Sequence, residues 1–107
     1  DDLASQTENS RLKGFVSSSL GDAYEKFGFS QDALKSYSKA VKHYTDSNSP
    51  QKTAQYYTKA ADIMVEHSNV SKAKGLLTKA QNFARQTDDV NLMNEINEKL
   101  SSLQLLG

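Results

Sequence analysis

Two histidines, a spread of carboxylates and a run of three serines are the side chains here with chemistry to offer. His43 and His67 sit on separate segments with no His or Cys at ligand spacing, so they read as helix-surface residues and not as a metal site. Carboxylates are plentiful, but none is paired in an apolar setting that would raise one pKa for acid–base work. Ser17-Ser18-Ser19 has no His or Lys at a spacing that would activate a hydroxyl. Gly14, Gly21, Gly28 and Gly75 are isolated, so no Gly-rich loop cradles a phosphate. With no cysteine there is no thiolate nucleophile, disulfide or thiolate metal site. The expectation is a chain with no catalytic, cofactor-binding or metal-binding residues: not an enzyme.

Composition narrows the partners. Thirteen basic residues balance thirteen acidic ones, and only Arg11 and Arg85 are arginines. Such a chain has neither the net field nor the bidentate donors that nucleic-acid binding favours. No stretch approaches the roughly 18 apolar residues of a membrane span, and no secretory signal is present. Without cysteine, a reducing, cytoplasmic setting is expected. Asn69-Val70-Ser71 matches the glycosylation acceptor triplet, a pattern that chance supplies often.

Between polar breaks, apolar residues recur in steps of three and four. Phe15, Leu20, Tyr24 and Phe27 lead one segment; Ala33, Tyr37, Ala40 and Tyr44 the next; Ala54, Tyr57, Ala61 and Met64 the third. Ala73, Leu77, Ala80 and Ala84, then Leu92, Ile96, Leu100 and Leu103, complete the set. No segment alternates as a strand would. The pattern predicts five helices, over 5–27, 31–46, 50–67, 70–87 and 90–105, in one all-α domain spanning 1–107. Gly28 is expected to end the first helix and Ser30 to cap the second, while Ser49-Pro50 opens the third. Short turns make successive helices antiparallel.

The chain also repeats itself. Shifted by forty residues, Leu20-Gly21-Asp22-Ala23-Tyr24 falls on Ala60-Ala61-Asp62-Ile63-Met64, and Ala33, Tyr37, Lys39 and Ala40 fall on Ala73, Leu77, Lys79 and Ala80. A half-period shows in Tyr37-Ser38-Lys39-Ala40, Tyr57-Thr58-Lys59-Ala60 and Leu77-Thr78-Lys79-Ala80. A tandem supersecondary unit points to stacked hairpins.

Leu20-Gly21-x-x-Tyr24 followed by Ala33, Tyr37 and Ala40 resembles the tetratricopeptide repeat (TPR). The second copy, Ala60, Ala61, Met64, Ala73, Leu77 and Ala80, keeps its alternation of small and large residues. The resemblance departs in three places. Ser17 stands at the first large position, Thr45 replaces the terminal proline, and the period is about forty residues against the usual 34. Repeats this long are similar to those of kinesin light chains and bacterial peptide-sensing regulators, and to vesicle-fusion adaptors built from antiparallel helices.

The resemblance implies a short right-handed solenoid, with repeat one at 14–47, repeat two at 54–87 and a capping helix at 90–105. It also implies a concave groove lined by the first helix of each hairpin. Phe15, Ser18, Asp22 and Glu25 would face it from repeat one, Gln55, Thr58, Asp62 and Glu66 from repeat two, and Glu95 and Glu98 from the last helix. Ser18 and Asp22 stand where some family members grip a terminal carboxylate with Lys and Asn, so no such clamp is expected. The implied role is an adaptor or scaffold that binds a protein or peptide, with an acidic groove suited to a basic segment. Two alternatives stand beside it. One is a self-associating module that stacks through Leu100, Leu103 and Leu106. The other is a closed trafficking-type helical bundle.

Overall fold

The computed structural model describes residues 2–106. It contains five helices: α1 (Asp2–Lys26), α2 (Ser30–Asp46), α3 (Pro50–Glu66), α4 (Val70–Ala84) and α5 (Val90–Leu106). No strand occurs among the described residues. Each helix packs chiefly on its neighbours in sequence, and the whole measures 49 × 32 × 19 Å. That is a stack of hairpins, not a bundle closed around one central core.

One turn is used three times, twenty residues apart. Gly28, Asn48 and Ser68 each take positive φ, at 83°, 54° and 62°. Around them Phe29, Ser49 and Asn69 donate their N–H groups to the carbonyls of Tyr24, Tyr44 and Met64, at 2.8–2.9 Å. This is the Schellman closure, which satisfies the last orphan carbonyls of a helix. The same three residues then serve as N-caps, so helix end and helix start share one residue. Ser30 is therefore not the cap of α2; Phe29 holds that place and has no side-chain capping bond. Ser49 lies at the cap of α3, but its hydroxyl meets that of Ser47 at 2.9 Å.

The fourth turn differs. α4 stops at Ala84, three residues short of the expected 87, and the Thr87 hydroxyl donates to the Ala84 carbonyl at 2.7 Å. Asp89 then caps α5, with Oδ1 accepting from the Leu92 N–H at 3.0 Å and Oδ2 from Gln51 at 2.8 Å. The Leu92 N–H, then Gln51, hold the Asp89 carboxyl below its ordinary range.

Small residues set the spacing within each hairpin. A Cβ added to Gly14 would lie 2.8 Å from the Tyr44 ring, and one added to Gly21 would lie 2.6 Å from the Tyr37 ring. Forty residues on, Ala54 and Ala61 replace the glycines while Ala84 and Leu77 replace the tyrosines, and all four are buried. Glycine against tyrosine becomes alanine against a smaller partner, so filled volume is conserved. One core joins α2 and α3 through Tyr37, Ala40, Tyr44, Tyr56 and Ile63. A second joins α3, α4 and α5 through Ala61, Leu77, Ala80, Ile96 and Leu103.

That second core corrects one expectation. Leu103 is buried and Leu100 packs against the same cluster, so neither is free for self-association. Leu105 and Leu106 alone remain exposed at that end.

Candidate partner-binding cleft

α1, α3 and α5 are the first helices of successive units, and their acidic residues recur in register. Asp22 of α1 accepts from Lys59 Nζ of α3 at 2.9 Å, and Asp62 of α3 accepts from Lys99 Nζ of α5 at 2.8 Å. Both residues of the first pair reappear forty positions later in the second. These bridges tie alternate helices together across the stack. Their groups are a third or more exposed, so each contributes at most about 1 kcal/mol.

Behind the first bridge the Tyr37 hydroxyl lies 2.6 Å from Asp22 Oδ1 and 2.7 Å from Glu25 Oε1. One O–H proton is thus shared between two carboxylates. Burial first, then these two hydrogen bonds and their charges, push the phenol well above the usual tyrosine range. For Lys59, burial pulls the ammonium down, but the hydrogen bond and charge of Asp22, aided by Tyr56 and Glu25, leave it raised overall.

Beside these bridges a cleft of about 640 Å³ opens over α3 and α5. Glu25, Asp62, Glu66, Glu95 and Glu98 line it, with Lys99 as its one cation and Val65, Leu77 and Leu103 as apolar lining. Lys99 is occupied by Asp62, with Glu95 at 3.9 Å. Glu66 and Glu98 have no ion-pair partner among the described residues, so the cleft carries a net negative charge. Such a site offers electrostatic attraction over an apolar surface.

Five of the ten residues read as groove-facing therefore meet in one cleft. Gln55 lines an adjoining depression that shares Glu95. Asp22 lies behind, held by Lys59 and Tyr37. Phe15 is exposed on α1 but outside the cleft. Ser18 and Thr58 are corrections, because both are buried. The Ser18 hydroxyl bonds the Phe15 carbonyl at 3.1 Å and meets Tyr44 Oη at 3.2 Å, while Thr58 donates to the Ala54 carbonyl at 2.8 Å. A short hydroxyl with a backbone acceptor one turn back enters a core at little cost.

Lys99 and the apolar lining were not anticipated. The signal for Lys99 was present, since Lys59 and Lys99 stand forty residues apart, as Asp22 and Asp62 do. A second cleft of about 720 Å³ lies at the opposite helix ends, between Arg11, Tyr44, Pro50, Lys52 and the Thr87–Asp89 turn. The residue patterns did not single it out.

The family pattern of soluble NSF attachment proteins, SNAP, matches residues 2–106, nearly the whole chain. The chain belongs to the SNAP family. This is a family of helical protein-interaction adaptors and not of enzymes, so the TPR reading holds at the level of stacked helical hairpins. The match takes up the comparison with vesicle-fusion adaptors. No curated protein and no solved structure matches this chain. No helix among the described residues is long and apolar enough to cross a membrane.

Proposed function

We propose that this SNAP-family chain is an adaptor module that docks a basic segment of a partner protein in the acidic cleft over α3 and α5. One observation carries the reading: five carboxylates from three helices converge over apolar residues with a single, already paired lysine among them. A helix or extended segment with Lys or Arg on one side and small apolar residues between them complements both properties. The family description names attachment to NSF, and a basic segment of such a partner is the expected occupant. On this reading the chain works in the cytoplasm by binding alone, with no cofactor.

Glu66 and Glu98 are the residues to change, because both are exposed and neither supports the core. Fluorescence anisotropy with a Lys-rich amphipathic peptide should show saturable binding that weakens steeply with salt. The E66K/E98K variant should bind at least tenfold less tightly, about 1.4 kcal/mol, and should favour the charge-reversed peptide. Equal affinity of both proteins for the basic peptide would refute the proposal.

A further inference from the structure

α3 carries a different surface on each side. Asp62 and Glu66 face the acidic cleft, whereas Ala60 and Met64 face a narrow trough of about 280 Å³ between α2 and α4. Leu34 of α2 and Leu76 of α4 complete an apolar floor with them, and Lys35 and Lys72 stand on the two rims. No carboxylate lines this trough. The balanced charge of the chain is thus divided between faces, and α4 itself holds three lysines and no acid.

The rims continue along both helices. Lys42 follows Lys35 by seven residues and Lys79 follows Lys72 by seven, and all four are exposed. Seven residues are two helical turns, so each pair shares one face at a separation of about 10 Å. Lys79 Nζ lies 5.9 Å from the Tyr57 ring centroid, which sets it on the α3 side of α4. None of the four enters an ion pair among the described residues, whereas Lys59 and Lys99 are both taken up by the bridges across the stack. Nor does the repeat require them. Forty residues separate Lys35 from Gly75, Lys42 from Asn82 and Asp32 from Lys72; Lys79 alone has a lysine counterpart, Lys39.

We infer that the trough between α2 and α4 docks an acidic amphipathic helix of another protein, with carboxylates seven residues apart along its edges and small aliphatic residues between them. Charge and shape choose this occupant together. A helix laid lengthwise puts its apolar stripe on the floor and its carboxylates against the lysines, as flanking charges do in paired helices. A flat bilayer would meet the lysines but not the recessed floor. Lysine also lacks the planar fork that reads phosphates in pairs. The occupant comes from outside this chain, because none of its five helices places two carboxylates seven residues apart. This seat is separate from the acidic cleft and of opposite sign.

The test is an NMR titration of the intact chain with a synthetic peptide of about 20 residues that repeats Glu at seven-residue spacing on both edges of an Ala/Leu stripe. It is carried to millimolar because an isolated helix of this length is only partly formed. Saturable shift changes should centre on Leu34, Lys35, Met64, Lys72 and Leu76. Affinity should fall at least tenfold in the K35E/K72E variant, whose substitutions lie on the surface. A peptide of the same composition with the spacing scrambled should likewise bind at least tenfold less, which repeats the test on unaltered protein. Absence of shifts at millimolar peptide, or equal affinity in either comparison, would overturn the inference. So would co-sedimentation of the chain with phosphatidylserine vesicles that K35E/K72E abolishes, because a membrane would then be the occupant, or a dimer that K35E/K72E returns to monomer.

Discussion

At Gly21 the first hairpin is decided by a single hydrogen atom. A methyl group there would sit 2.6 Å from the Tyr37 ring, which is fully buried and anchored through its hydroxyl to Asp22 and Glu25. Gly21→Ala should therefore cost about 1–3 kcal/mol of stability by chemical denaturation, despite the better helix propensity of alanine. The second hairpin supplies the remedy, because Ala61 there faces Leu77. Adding Tyr37→Leu to Gly21→Ala should recover part of the loss, and a double-mutant cycle would report a favourable coupling between the two sites. Additive losses would contradict the volume argument. The Tyr37 phenol also makes a pH prediction. Its proton is held more tightly in the folded chain than in the unfolded one, so its contribution is complete below about pH 10, the unfolded value, and is lost as pH rises further. The Tyr37 phenol should resist alkaline titration until the chain unfolds, and Y37F should remove one resistant phenol. An alkaline titration of the folded chain that Y37F leaves with the same number of resistant phenols would contradict this.

The helices and their order were legible because apolar steps of three and four allow nothing else, and the breaks at Gly28, Thr45–Ser49 and His67–Asn69 fall where chain reversal needs them. Less legible was how each helix ends. Three turns use one left-handed residue, but only the first of those residues is glycine; Asn48 and Ser68 reach the same conformation against their steric preference. Ser68→Gly should therefore stabilise the α3–α4 turn by up to about 1 kcal/mol, read as a rise in Tm, while a fall would contradict the turn assignment. The overlong expectation for α4 has a related cause. Arg85, Gln86 and Thr87 include no glycine or proline to mark a helix end, but the Thr87 hydroxyl turns back to donate to the Ala84 carbonyl beyond the last helical residue. Ser18 and Thr58 were misplaced for a similar reason. Transferring groove positions by register ignores that a hydroxyl can satisfy itself on its own helix and go inside.

Over the whole molecule, repetition does two jobs. Register-conserved residues build the stack: the small–large pairs within hairpins, the Asp–Lys bridges across them, and the backward-packing faces of α3 and α5. Residues without a repeat set character locally, and Glu66, Glu95 and Glu98 give the cleft its sign. The self-association reading of the last helix loses Leu103 at this scale, because Leu103 is the register partner of Ile63 and is consumed by the core. Membership of the SNAP family fits a module that works by presenting surfaces, and the acidic cleft is the surface with the clearest chemistry. Mapping where a basic ligand lands tests that claim most directly. In an NMR titration of the chain with a Lys-rich amphipathic peptide, shift changes should concentrate on Val65, Glu66, Glu95, Glu98 and Lys99 and fade as salt is raised. Changes spread evenly over the exposed carboxylates, or centred on the Arg11–Lys52 end of the stack, would contradict it.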